Sequence, residues 1–182
     1  KNKYQKMNKL EHIKSKILNA DALKRQLAVW RLKDKKIVFT NGVFDLLHLG
    51  HIDYLSKAKD LGHVLIIAVN SDTSAVRLGK GSNRPITDEI SRSNIIAALG
   101  FVDAVVLFDE DTPYNLIKTI QPDVLVKGAD YDPNETNQAS KTYIVGSDII
   151  KANGGEVKVI NLEEGFSTTS IINKLNNKYY YK

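Results

Sequence analysis

Two histidines three residues apart close the string Thr40-Asn41-Gly42-Val43-Phe44-Asp45-Leu46-Leu47-His48-Leu49-Gly50-His51, which follows a short apolar run. If a helix opens near Leu49, its free N–H groups and positive dipole end face whatever binds there. His48 and His51 then share one side of the first turn, where imidazoles can donate hydrogen bonds to phosphate oxygens. Gly42 lets the backbone approach a ligand closely, and Gly50 removes a side chain that would obstruct a polyphosphate. A second cluster, Gly165-Phe166-Ser167-Thr168-Thr169, dresses another helix start with hydroxyls. Taken singly, each has a plainer reading: a histidine pair without a ligand, and an ordinary Ser/Thr cap. Zinc is a third reading of the histidines, but it needs further ligands, and only His12, His63 and carboxylates remain in a chain without cysteine.

The elements that must position these residues are legible in outline. Leu10, Ile13, Ile17, Leu23, Leu27 and Trp30 recur at roughly helical spacing, predicting a helix over 9–30. Ile37–Thr40 reads as a strand ending at the turn signal Asn41-Gly42. A helix is expected from Leu49 to Leu61, stopped by Gly62. The unbroken apolar run Val64–Val69 reads as a strand buried on both faces. Asp72 is expected to cap a short helix reaching Leu78, and Gly79–Arg84 reads as a loop. Then come a helix over 88–99, a strand over 102–108, and a helix opened by Thr112 as cap and Pro113 as first residue. Strands at 124–126 and 157–160 flank a long loop over 128–142 and a helix near 144–152. A last helix covers 168–175. This alternation predicts an α/β fold with a doubly wound parallel sheet. Ligands in such sheets bind beyond the strands' carboxyl ends, where the winding direction switches. The expected division is a basic helical extension over 1–35, one domain over 36–176, and a tail over 177–182.

Composition narrows the function. A hydrophobic fraction of 42% is that of an ordinary globular chain. The net charge of +5 is unevenly spread: residues 1–36 carry 12 Lys and Arg against 3 Asp and Glu, leaving 14 basic and 18 acidic groups in residues 37–182. The body lacks the basic stripe of a nucleic-acid binder. No apolar run is long enough to span a bilayer, no signal-peptide pattern precedes the first strand, and there is no cysteine. A cytoplasmic protein without nucleic-acid or membrane partners is expected. Gly79-Lys80-Gly81-Ser82 is not a Walker loop, because Ser74 stands where the upstream glycine would be.

Thr40–His51 resembles the signature of the nucleotidyltransferase superfamily with a His-x-Gly-His motif, and Gly165–Thr169 resembles its second, triphosphate-binding motif. The resemblance covers about residues 36–175 and implies the Rossmann-like nucleotidyltransferase fold. Within the superfamily the sequence is most similar to the heptose 1-phosphate adenylyltransferases. The similarity lies in Thr40–Asp45, His48–Tyr54, Ala68–Asp72, Arg84-Pro85-Ile86, Asp111-Thr112-Pro113, Val126–Tyr131 and Gly154-Gly155-Glu156-Val157.

The resemblance implies ATP and a sugar 1-phosphate as substrates, a nucleotide sugar for lipopolysaccharide precursors and pyrophosphate as products, and Mg²⁺ carried mainly on the ATP phosphates with no protein metal site. It also implies roles. His48, His51 and Lys80 would be catalytic. Thr40, Asn41, Gly42, Phe44 and Gly50 would shape the phosphate loop, Arg92 would hold the β- and γ-phosphates, and Ser167, Thr168 and Thr169 would cap the triphosphate tail. Lys127 and Gly128 would lie along the base. Lys80 and Arg92 could equally be solvated charges. Asp45 is expected to orient the loop. The resemblance admits a homodimer and expects a separate heptose kinase and phosphatase, since this chain has no room for a kinase domain. A glycerol 3-phosphate cytidylyltransferase, a non-catalytic nucleotide-binding module and an interaction protein using the basic segment remain alternatives.

Overall fold

The computed structural model describes residues 7–79, 84–161, 163 and 165–178. Five strands form one parallel sheet in the order β3-β2-β1-β4-β5: β1 Ile37–Gly42, β2 Val64–Asn70, β3 Ala104–Phe108, β4 Val124–Gly128 and β5 Glu156–Ile160. The expected doubly wound α/β sheet is the one observed. Its winding reverses between β1 and β4, so a crevice opens where both strands end, at Asn41-Gly42 and Lys127-Gly128.

Period-two side-chain alternation divides the core between the two faces of the sheet. Ile37 and Phe39 of β1, with Val64, Ile66 and Ala68 of β2, pack against Leu23 and Leu27 of α2 (Ala20–Leu32). Ile117 and Ile120 of α6 (Tyr114–Ile120) and Ile150 of α7 (Ser147–Ala152) complete that face. Val38, Leu65, Ile67 and Val69 face the other way, against Tyr54, Leu55 and Ala58 of α3 (Leu49–Lys59) and Ile96 and Ala97 of α5 (Glu89–Ala98). Burial of all seven residues of β2 explains why its sequence shows no alternation.

The N-terminal extension is not the single helix its periodicity suggests. It forms α1 (Lys9–Ser15) and α2, each with an asparagine cap, Asn8 within a capping box with Glu11, and Asn19 accepting from Ala22 N–H. Between them Ile17 bridges to Val105 in parallel: Val105 N–H donates to Lys16 O at 2.9 Å and Leu18 N–H to Val105 O at 2.8 Å. These residues cover the outer edge of β3, which would otherwise offer unpaired backbone groups. With Leu23 and Leu27 fully buried, the extension is part of the packed fold.

Two caps differ from expectation. Ser71, not Asp72, caps α4 (Asp72–Arg77), its hydroxyl accepting from Ser74 N–H at 3.0 Å. Pro113 occupies the cap position of α6, displacing Thr112 outward. The last helix, α8 (Thr168–Lys178), runs past the expected boundary at 176.

Candidate active site

The segment after β1 is held in a shape that its residue types alone would not favour. Phe44 and Leu46 take positive φ values of 52° and 47°, a region costly for residues with a β-carbon. Asp45 between them supplies the compensation. Its carboxylate is almost fully buried and accepts from Ile86 N–H at 3.0 Å and Thr87 N–H at 3.0 Å, with Arg84 Nε at 3.4 Å. Burial pushes the Asp45 carboxyl up, but the two backbone donors and the Arg84 guanidinium outweigh it and hold the group below its ordinary value. Its carbonyl accepts from Thr168 Oγ1 at 2.7 Å. One residue therefore ties the loop after β1 to the 84–87 segment and to the start of α8.

His48 caps α3 by position, and its ring stacks on His51 with centroids 3.8 Å apart. Phe44 meets His51 edge-on at 5.5 Å. Burial holds His48 below its ordinary pKa, so near neutrality it is an uncharged imidazole with one donor and one acceptor. Its Nδ1 is buried without a hydrogen-bond partner among the described residues. Gly50 is needed for a reason the sequence did not show: a β-carbon there would lie 3.1 Å from His48 Nδ1 and 3.1 Å from Phe166 Cβ. The first turn of α3 thus lies against Phe166, two residues before α8, and with Thr168 bonded to Asp45 O the two positive helix ends approach one place. Gly42 likewise leaves room for the Phe44 ring, 3.1 Å from where its β-carbon would be.

These elements wall a cleft of about 440 Å³ at the switch point. Asn41, Gly42, Phe44, His51, Lys127, Gly128 and Thr168 line it, and His48 stacks behind His51. Across the crevice Lys127 Nζ donates to Asn41 Oδ1 and lies 5.4 Å from the Tyr131 ring centroid.

Several expected ligand residues are placed otherwise. Thr40 is fully buried and shares a 2.7 Å hydrogen bond with Tyr54 OH, so it supports the cleft wall from behind. Burial drives the Tyr54 hydroxyl well above its ordinary pKa, against the opposing effect of that bond.

Arg92 is only 1% exposed and does not line the cleft. It donates to Thr87 O at 2.8 Å, Val43 O at 2.6 Å, Asn70 O at 2.8 Å and Asp72 Oδ1 at 2.7 Å. It clamps three segments of the chain, at Val43, at Asn70 with Asp72, and at Thr87, and the expected phosphate ligand is thus engaged with protein acceptors.

Thr168 spends its hydroxyl on Asp45 O. Ser167 accepts from Ser170 N–H at 3.0 Å as the cap of α8, and Thr169 is exposed. Lys80 lies outside the described residues. Sequence reasoning passed over Tyr54, Asn70, Asp111–Pro113, Asp130 and Tyr131 as cleft residues. Most of them follow a strand's carboxyl end, which is the signal that could have found them. Among the described residues, no three His, Asp or Glu side chains are grouped to hold a metal, and no helix is long and apolar enough to cross a membrane.

The bifunctional protein HldE of Geobacter metallireducens is 48% identical over 165 residues, covering 91% of this chain and 32% of the relative. The protein of the same name from Proteus mirabilis is 49% identical over 162 residues, covering 89% and 32%. The chain therefore spans about a third of the length of these curated relatives. A crystal structure of a lipopolysaccharide core biosynthesis protein from Thermoplasma volcanium superposes with a TM-score of 0.54 at 33% identity, covering 71% of this chain and 97% of that one. Pantoate-beta-alanine ligase from Francisella tularensis, at 16% identity and a TM-score of 0.55 over 91% and 78% of the two chains, shares the fold. Residues 39–174 match the family described as cytidylyltransferase-like, and with the helix-terminus cleft in place the chain belongs to that family of nucleotidyltransferases.

Proposed function

We propose that the chain transfers an adenylyl group from ATP to D-glycero-D-manno-heptose 1-phosphate, giving ADP-heptose and pyrophosphate for lipopolysaccharide core precursors. The observation that carries this reading is the convergence of the α3 and α8 N-termini, with stacked His48 and His51, on a cleft at the sheet's switch point. That is a site for a polyphosphate rather than for a single charge. The identities near 48% to bifunctional proteins named HldE, and the likeness to a lipopolysaccharide core biosynthesis protein, support the choice of sugar.

In this reading a phosphate oxygen of the sugar attacks the α-phosphorus in line. The new O–P bond forms as the bond to the pyrophosphate oxygen breaks, and the chain contributes position and charge rather than a covalent nucleophile. His48 and His51 steady the phosphates. Asn41, Gly42 and Phe44 shape the loop against the α-phosphate, and Lys127-Gly128 borders the base. The α8 start, with Ser167 and Thr169, takes the triphosphate tail, and Lys80 supplies a further cation. Mg²⁺ travels on the triphosphate. The sugar phosphate comes from a kinase and a phosphatase acting earlier, in the cytoplasm where ATP is available.

Incubation with Mg²⁺, each of ATP, CTP, GTP and UTP, and a set of sugar phosphates tests the reading by pyrophosphate release. ATP is expected to exceed the other nucleotides by at least ~10²-fold, because a wrong base leaves pocket hydrogen bonds unpaired. A cytidine preference with glycerol 3-phosphate as the better acceptor would replace the reading with the sister activity.

A further inference from the structure

Arg84 is a residue of the cleft to which the roles above give no contact with substrate. Among the described residues the cleft lining holds two Lys or Arg side chains, Arg84 and Lys127. Lys127 directs its ammonium to Asn41 and the Tyr131 ring. Arg84 is about one-fifth exposed at its side chain and touches the protein through one nitrogen, Nε, at 3.4 Å from Asp45 Oδ2. Neither of its terminal nitrogens has a hydrogen-bond partner among the described residues. The contact partner is itself fixed: Asp45 is held by Ile86 and Thr87 N–H, and its carbonyl by Thr168. A guanidinium anchored at Nε with its two terminal nitrogens open is preorganised to grip two oxygens of one phosphate.

The arrangement of the cleft says which phosphate. The Lys127–Gly128 strand end lies on the β4 side, with Asp130 and Tyr131, and the α8 start meets the loop after β1 through the Thr168 bond to Asp45 O. Asn70, Leu78 and the Asp111–Pro113 turn follow β2 and β3 and form the opposite wall. A nucleotide whose phosphates run along the two helix ends, with its base by Gly128, leaves the β2–β3 wall to the second substrate. Arg84 belongs to neither helix end, and it is tethered to the loop that presents the α-phosphorus. We propose that Arg84 binds the phosphate of the acceptor and sets it in line with the α-phosphorus. The proposal deepens the reading above and rests on it for the identity of the sugar, though not for the presence of an acceptor phosphate.

The test compares wild type with Arg84→Gln and Arg84→Lys by initial rates, varying ATP at saturating acceptor and acceptor at saturating ATP. Arg84→Gln is expected to raise KM for the sugar 1-phosphate by ~10- to 10²-fold, the scale for losing charge-assisted hydrogen bonds, and to leave KM for ATP within ~3-fold. Arg84→Lys, which restores charge without the fork, is expected to recover part of the loss. A purely structural role would raise both KM values together or lower only kcat. Acceptor KM unchanged in Arg84→Gln, or a rise confined to ATP, would overturn the proposal. If Arg84→Gln fails to melt cooperatively, Arg84→Lys is read alone, and an acceptor KM equal to wild type overturns the proposal equally. Should wild type reject sugar 1-phosphates and use glycerol 3-phosphate, the sugar assignment fails, and the same series with that acceptor still decides the role of Arg84.

Discussion

Arg92 offers the sharpest test of the structure against the expectation from sequence. Placed on a polyphosphate, its loss would weaken ATP binding and leave folding intact. The buried clamp observed predicts the opposite emphasis. Arg92→Met keeps an unbranched apolar stem but removes the guanidinium. Three carbonyls, those of Val43 and Thr87 part-buried and that of Asn70 buried, then lose their donor, and Asp72 loses its ion-pair partner. Three lost bonds at ~1 kcal/mol each give a floor near 3 kcal/mol. Breaking a buried charged pair by removing one partner typically costs ~3–5 kcal/mol. Asp72 is 40% exposed at its side chain, so water recovers part of its loss and its share belongs at the low end. A destabilisation of ~3–5 kcal/mol results, a large part of the ~5–15 kcal/mol that holds a domain folded. For a chain of this length each kcal/mol lowers Tm by ~2–4 °C, so the expected drop is ~6–20 °C by thermal melting. Arg92→Lys should recover a fraction, since an ammonium can reach some but not all of the acceptors. A Tm within ~2 °C of wild type together with an ATP KM raised ~10-fold or more would refute the reasoning and return Arg92 to the phosphates.

Two further outcomes follow from the site. His48→Ala and His51→Ala should each lower kcat/KM by at least ~10²-fold in a pyrophosphate-release assay while leaving Tm nearly unchanged, and near-normal turnover in both would remove the phosphate role. Asp45→Asn should be destabilised in a pH-dependent way. The folded-state pKa of Asp45 lies below its ordinary 3.8, so its contribution is complete above that value and lost as pH falls through the lower folded value. Urea titrations from neutral pH down to below the carboxylate range should show the gap between wild type and Asp45→Asn closing at the acid end, and a gap that widens there would contradict the assigned cause.

Local pattern determined much of this molecule. The unbroken Val64–Val69 run could satisfy itself only as a strand covered on both faces, and β2 is that strand. Alternation of strands with helices fixed the parallel, doubly wound class, and the His48–His51 spacing with Asn41-Gly42 before it pointed to the segment that borders the cleft at the switch point. These signals are readable because hydrophobic periodicity and helix-end chemistry involve residues close in sequence. What only the tertiary structure decided depends on distant partners. The helical period over 9–30 could not show that Ile17 would pair with Val105 and split the helix. Nothing near Arg92 in sequence announces the carbonyls of Val43 and Asn70, to which it donates as a buried clamp. Thr40 and Tyr54 meet across fourteen residues, and Thr168 reaches Asp45 across one hundred and twenty-three. Whether a polar side chain serves a ligand or the fold is set by which donors and acceptors the packed chain leaves unsatisfied, and that balance exists only once the sheet is assembled.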